Sequence, residues 1–361
     1  MIISKCLVCR HAEDGIYIRC RKCGGMVLFE YTDLKWAVQR DLPSMWRYWR
    51  MLPPTEKRVT LGEGYTPIKK VGGVFVKNET VNPTRSYADR ASSTIVSNLD
   101  SSSLKYVKDF ALSLAYYLKS SNKPAKVYVD PKEADPQELI FLHNLGAEII
   151  FSDALDPSVL NYDNPFVIEG LKTIAFEIVE RGPKIDEIYV PAKTGLLALS
   201  IIKGLHEASE SGMDLGSSYS VVAVRLESDK ELPHGIRTVN VDPRDALKSL
   251  VDLARVGIRT ELLSASAYSM AANSGSGLAL LTGSSRIDVR LGGGRFSPIK
   301  SKVKRALERR GSATAYEVWE DIGTHSLRGI YKVMRTMEIE GVVKGEYVMR
   351  GRRKVKQYRL L

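Results

Sequence analysis

The sequence predicts an α/β fold built on open parallel sheets, with a small cysteine ribbon before it and a short helical unit ending in a β-hairpin after it. Three features carry this: two Cys-x-x-Cys pairs at the start, a strand, turn, helix cadence through the middle, and capped helices with a basic hairpin at the end. The 361 residues, 44% of them hydrophobic, suffice for two or three folded units. No apolar run approaches the roughly 18 residues of a membrane helix, so no membrane partner is expected. The residues before Cys6 and Cys9 lack a charged stretch followed by a long apolar one, so a cytoplasmic location is expected.

All four cysteines fall in the first 23 residues, as Cys6-Leu-Val-Cys9 and Cys20-Arg-Lys-Cys23. Two such knuckles can close a tetrahedral sulfur shell around one ion, so residues 1–30 are expected to form a zinc ribbon with Cys6, Cys9, Cys20 and Cys23 as ligands. Two disulfides are the alternative, disfavoured in a cytosolic chain. Four sulfurs leave no open position for water, so the Zn2+ is expected to be structural and His11 a bystander. Residues 31–59 read as a connecting segment.

From 60 to 295 the pattern repeats. Lys126-Val-Tyr-Val-Asp130 precedes a helical stretch from Pro136 to Leu145 and then Gly146-Ala-Glu-Ile-Ile-Phe151. Ile185-Asp-Glu-Ile-Tyr-Val190 leads into a helix beginning near Leu196, and Tyr219 to Leu226 is a further buried-strand run. Periodicity alone reaches a parallel α/β sheet and stops there.

Particular words go further. Leu61-Gly-Glu-Gly-Tyr-Thr-Pro67, Val76-Lys-Asn-Glu79, Asn82-Pro-Thr-Arg-Ser-Tyr-Ala-Asp-Arg90, Leu145-Gly-Ala-Glu148, Ile168 to Ile178 and Leu281-Thr-Gly-Ser284 resemble the motifs of threonine synthase, a pyridoxal-phosphate enzyme. The resemblance covers roughly the first 295 positions. It implies the two-lobed α/β fold of that enzyme group, with a ligand cleft between the lobes, and a homodimer.

The departures fall at the chemistry. The family pattern reads Asn-Pro-Thr-Gly-Ser-Phe-Lys-Asp-Arg, and its lysine bonds the cofactor; here that position is Ala88, and Arg85 replaces the glycine. A methyl group can neither form a Schiff base nor shuttle a proton. The Gly-rich phosphate turn is Pro191-Ala-Lys-Thr-Gly-Leu-Leu197, where only Gly195 could let bare backbone approach an anion, and the Ser-Gly-Asn word falls near Tyr106-Val-Lys-Asp109. No pyridoxal phosphate is therefore expected, and the chain reads as a pseudoenzyme. Takeover by Lys77, Lys105 or Lys193 is the alternative. Thr84, Arg85, Ser86, Lys193, Thr194 and Gly195 are the candidate binders of a small anionic metabolite, an amino acid or phosphorylated amino acid. Arg85 could equally fill the emptied site by pairing with an acidic neighbour.

The chain carries 53 Lys and Arg against 42 Asp and Glu, a net charge of +11. From Ser297 onward there are 16 basic against 7 acidic residues, +9, so the last segment holds most of the excess. Within 296–361, Ser297-Pro298 starts a helix ended by Gly311, and Thr314-Ala-Tyr-Glu317 is a capping box for a second helix ending at Gly323. A third helix, from about His325 to Glu340, places Leu327, Tyr331 and Met334 inward. Strands 342–349 and 355–360 flank a basic tip. This order resembles a winged helix-turn-helix domain, which implies double-stranded DNA as partner, with protein contacts as the alternative. His325, Ser326, Arg328, Lys332 and Arg335 on the third helix, and Arg350, Arg352, Arg353, Lys354 and Lys356 at the wing, are the candidate DNA contacts. The whole is expected to be a transcriptional regulator descended from threonine synthase. The alternatives are a working threonine synthase-like lyase or a non-catalytic modulatory subunit of one.

Overall fold

A computed structural model of the chain describes all residues except 43, 153–158, 217–218, 227–231, 233–234, 285–297, 324, 340–341, 352 and 361. The chain divides into two compact units, Met1–Val289 and Arg290–Leu361.

In the first unit, β1 (Ile2–Cys6), β2 (Ala12–Asp14) and β3 (Val27–Tyr31) form an antiparallel sheet in the order β2-β1-β3. Phe29 of β3 meets Phe166 edge-on at 5.3 Å, and Arg19 pairs with Asp163 at 3.0 Å, so the ribbon is anchored to the α/β body. The stretch read as a connector contributes core instead. Its short 3-10 helix, Met45–Met51, is capped by Ser44 and buries Met45, Trp46, Tyr48 and Met51.

The body follows as β4 (Ile68–Val71), β5 (Val74–Asn78), α1 (Ala88–Asn98), β6 (Ser103–Lys105), α2 (Phe110–Ser120), β7 (Lys126–Val129), α3 (Pro136–Leu145) and β8 (Glu148–Phe151). Then come α4 (Pro165–Arg181), β9 (Glu187–Pro191), α5 (Leu196–Glu210), β10 (Ser220–Arg225), β11 (Arg237–Asn240), α6 (Pro243–Arg255), α7 (Leu262–Ser274) and β12 (Leu278–Leu281). One sheet is three-stranded and parallel, ordered β6-β7-β8; the other has six strands, ordered β11-β10-β9-β12-β5-β4, parallel but for β4. These are the two lobes. Local chemistry sets the helix starts: Asp135, Asn164 and Asp242 each accept from the first-turn amides, with Pro136, Pro165 and Pro243 next. Gly170 of α4 allows close packing on α1, because a Cβ there would stand 2.6 Å from the Arg90 carbonyl carbon.

The second unit holds α8 (Pro298–Arg310), β13 (Ser312–Thr314), α9 (Ala315–Ile322), α10 (Leu327–Ile339), β14 (Val343–Arg350) and β15 (Arg353–Leu360), with sheet order β13-β15-β14. The Thr314–Glu317 capping box is present, and Gly323 closes α9 in a left-handed turn. The Ser297 cap lies outside the described residues. The inward stripe of α10 differs from the expected one. Ile330, Met334 and Met337 are buried against Val303, Leu307 and Val318, whereas Tyr331 is half exposed and Leu327 only partly covered. The helix is rotated so that its aliphatic row, not its tyrosine, meets the core.

Candidate functional site

A cleft of about 430 Å³ opens at the carboxyl ends of β9, β10 and β12, where ligands sit in open α/β sheets. Its lining includes Lys193, Thr194 and Gly195 after β9, Arg225 at the end of β10 with Leu226 after it, and Thr282 after β12. Tyr87, Lys108, Asp109, Tyr162 and Glu261 complete its polar surface. Gly195 caps α5 with φ +81°, the left-handed turn that lets the backbone fold under the cleft.

Three of the expected binders, Thr84, Arg85 and Ser86, do not line this cleft, which corrects their assignment. The Thr84 hydroxyl and amide donate to Asp89 at 2.5 and 2.7 Å, and Ser86 Oγ accepts from the Ala88 amide at 3.2 Å, so both side chains turn inward to fasten the start of α1. Arg85 has φ +63°, and its carbonyl accepts from the Ser284 amide. Sequence reasoning missed Tyr87, Asp109, Tyr162, Arg225, Glu261 and Thr282 as lining residues. Lys108 and Asp109 lie in the Tyr106–Asp109 word, the one available signal.

Ala88 opens α1 and is 1% exposed. The lysines lining the cleft are Lys108 and Lys193. Lys77 is elsewhere, fully buried, with Nζ 2.5 Å from Glu177 and 3.6 Å from Glu79. Arg90 joins the same cluster, donating to Glu79 at 2.7 Å and Glu177 at 2.6 Å. Burial works against the charge on Glu177 and Glu79, but Arg90 and Lys77 outweigh it and hold both carboxyls below their usual range. Asp89 has no such cation among the described residues: burial lifts its pKa to about 7, against hydrogen bonds from Ser113 and Thr84. In the cleft lining, the Tyr87 and Tyr162 hydroxyls meet at 2.7 Å, and burial pushes Tyr87 to about 12.

In the ribbon, Cys6 and Cys23 Sγ stand 3.5 Å apart and Cys9 and Cys20 Sγ 3.6 Å, and all four sulfurs lie within 4.8 Å of one another. A tetrahedral ion with bonds of about 2.3 Å needs sulfurs roughly 3.8 Å apart, so this cluster can hold a metal ion. His11 lies beside Glu13 instead.

In the second unit, Arg328, Lys332 and Arg335 are exposed on α10, His325 and Ser326 precede it, and Ser326 Oγ accepts from the Gly329 amide. Arg350 is paired with Glu317 at 2.5 Å and Lys356 with Glu338 at 2.7 Å, so these hairpin cations are turned to carboxylates of their own unit. Lys354 lies 5.1 Å over the Tyr347 ring; Arg353 lies in β15, and Arg352 falls outside the described residues.

Residues 59–278, more than half of the chain, match the family model of pyridoxal-phosphate dependent enzymes, and the chain belongs to that family. Within it, the chain is similar to the threonine synthase of Methanocaldococcus jannaschii, 30% identical over 255 residues, 59% of this chain and 62% of that one. It is also similar to the threonine synthase of Methanosarcina acetivorans, 27% identical over 241 residues, 56% of this chain and 60% of that one. The chain thus spans about three-fifths of these relatives' length. Among solved structures, an O-acetyl serine sulfhydrylase from Entamoeba histolytica matches at TM-score 0.52 and 15% identity, over 66% of this chain and 92% of that one. A tomato (Solanum lycopersicum) threonine deaminase matches at TM-score 0.51 and 14% identity, over 61% and 79%. Both likenesses concern the fold.

These matches overturn the expectation of a DNA-binding transcriptional regulator. That expectation rested on charge and on an order of three short helices and a basic hairpin, features that domains making protein contacts share, whereas the family match covers the body of the chain and supports a pyridoxal-phosphate-dependent, lyase-type enzyme. The alternatives raised beside it, a threonine synthase-like lyase or a non-catalytic subunit of one, are better supported.

Proposed function

We propose that the chain is a non-catalytic, threonine synthase-like protein that holds a small anionic ligand, an amino acid or phosphorylated amino acid, in its cleft without a covalent bond. The observation that carries this is Ala88. The motif that in this family supplies the cofactor-bonding amine ends here in a buried methyl, so the residues do not fit a pyridoxal phosphate bonded at that position. Lys77 is no substitute, since its ammonium is sealed between Glu177 and Glu79. Lys193, beside the Gly195 turn and without a carboxylate partner among the described residues, is the cation placed to meet an anion. We further assign Zn2+ to the four-cysteine cluster, as a structural ion, and a winged helix-turn-helix to the second unit by its order of helix, strand, two helices and hairpin.

Calorimetric titration of the purified protein with threonine, homoserine and O-phosphohomoserine tests the ligand. Saturable heat with at least one of them is expected, and none with any would refute the proposal. A second reading, a lyase with a relocated lysine, draws support from Lys108 and Lys193 sharing the cleft and from the family itself. It requires turnover of O-phosphohomoserine in the presence of added pyridoxal phosphate.

A further inference from the structure

Lys108 lies in the turn between β6 and α2, on the lobe built around the three-stranded sheet. Its ammonium stands 3.4 Å from Asp135, the cap of α3 in the same lobe, and 3.5 Å from Glu261, the cap of α7 on the six-stranded sheet. Lys108 and Glu261 line the cleft from opposite lobes, so their ion pair joins its two walls. Asp109, also in the lining, adds a third carboxylate near the same ammonium. Partial burial works against the Lys108 charge, but Glu261, Asp109 and Asp135 together hold its pKa above the usual value. The turn itself is prepared for this role: Asp109 has φ +70°, and its amide donates to Glu138 at 2.9 Å, which fixes the direction in which Lys108 leaves the chain.

We infer that Lys108 is a clasp: its bridge to Glu261 holds the cleft closed, and an incoming anion opens it by taking the place of Glu261 on the Lys108 ammonium. The inference rests on the reading of the cleft as an anion site. A carboxylate or phosphoryl group offers Lys108 the same attraction of opposite charge that Glu261 provides, so the exchange costs little electrostatically, while the lobes lose this tie. The ligand shifts the open and closed forms only by its differential affinity for them, and the clasp supplies that difference. Asp135 keeps the ammonium in place during the exchange, since it belongs to the same lobe as Lys108.

Lys108→Met, Glu261→Gln, the double variant and the conservative Lys108→Arg test the clasp in the full-length protein. The first readout needs no ligand: amide hydrogen exchange of peptides spanning 104–112 and 259–266. Both single charge-removing variants are expected to speed exchange about two- to fivefold, the double variant no more than either single one, and Lys108→Arg to exchange as the parent does. Unchanged exchange in both single variants, or effects that simply add, would overturn the clasp. The second readout is calorimetry with inorganic phosphate. Glu261→Gln is expected to bind it more tightly than the parent and Lys108→Met more weakly; equal affinity in all variants would overturn the exchange of partners. Should phosphate bind none of the proteins while hydrogen exchange behaves as described, the anion-site reading fails and the clasp between lobes stands.

Discussion

Arg90 Nη1 stands 2.6 Å from Glu177 Oε1, with neither side chain exposed to solvent. The contact ties the end of the Asn82–Arg90 motif to the middle of α4, and the Lys77 and Glu79 charges close the cluster on either side. Buried charges of this kind are weak evidence of net stability as a set, but removing one member strands the others in a low-dielectric interior. Arg90→Met is therefore expected to destabilise the protein by about 3–5 kcal/mol, because it leaves two buried carboxylates with only Lys77 and the partly exposed Arg181. Urea unfolding would measure it, and a loss below about 1 kcal/mol would show that water reaches the cluster.

The same groups give stability opposing pH dependences. Glu177 and Glu79 titrate below their unfolded values, so the stability they contribute is complete above the ordinary carboxylate range and is lost as pH falls through their folded pKa. Asp89 behaves the other way. With its folded pKa near 7, the native state holds a proton that the unfolded chain releases above about pH 4, so its contribution falls as pH rises from about 4 to 7. Melting temperatures of the parent and Asp89→Asn across this range should converge toward acid and separate toward neutral pH, with the variant losing the falling slope. Parallel curves would mean that Asp89 titrates normally.

Gly170→Ala should be strongly destabilising although alanine is the better helix former. Its Cβ would lie 2.6 Å from the Arg90 carbonyl carbon and 2.7 Å from Thr94 Oγ1, and backbone on α1 cannot yield as a flexible side chain would. We expect a loss of about 1–3 kcal/mol by thermal or urea unfolding. A neutral or stabilised variant would show that α1 and α4 stand further apart.

Protein purified under reducing conditions should carry one zinc per chain, and Cys20→Ser should lower the metal content and loosen the ribbon from Asp163 and Phe166. Elemental analysis and limited proteolysis check both. Cysteines paired as disulfides, found by non-reducing peptide mapping, would contradict the assignment.

Much of the body was legible because its signals are local. The helical stretch expected from Pro136 to Leu145 is α3, and the Thr314–Glu317 capping box appears in the structure as the spacing required. What escaped is what depends on partners distant in sequence. No local signal marks Lys77, Glu79, Arg90, Glu169 and Lys172 as buried, and only the fold reveals that each has an opposite charge waiting in the interior. Met45–Met51 carries Arg47 and Arg50 between its large apolar residues, which masks a buried turn; Arg47 is accommodated by pairing with Glu180 at 2.8 Å. Of the candidate anion site, the half after β9 could be read from the departure at Pro191–Leu197. The half contributed by Glu261 and Arg225 could not, since neither belongs to a motif.

We propose that neither Lys108 nor Lys193 takes over the part of the lysine that Ala88 replaces. The most direct test is incubation of the native protein with excess pyridoxal phosphate, reduction with borohydride, and mass spectrometry of the intact chain and its peptides. The account predicts an unmodified mass, or at most diffuse labelling of exposed lysines that competing phosphate does not suppress. A single stoichiometric adduct on Lys193 or Lys108, protected by phosphate, would contradict it and make the chain a working member of its family.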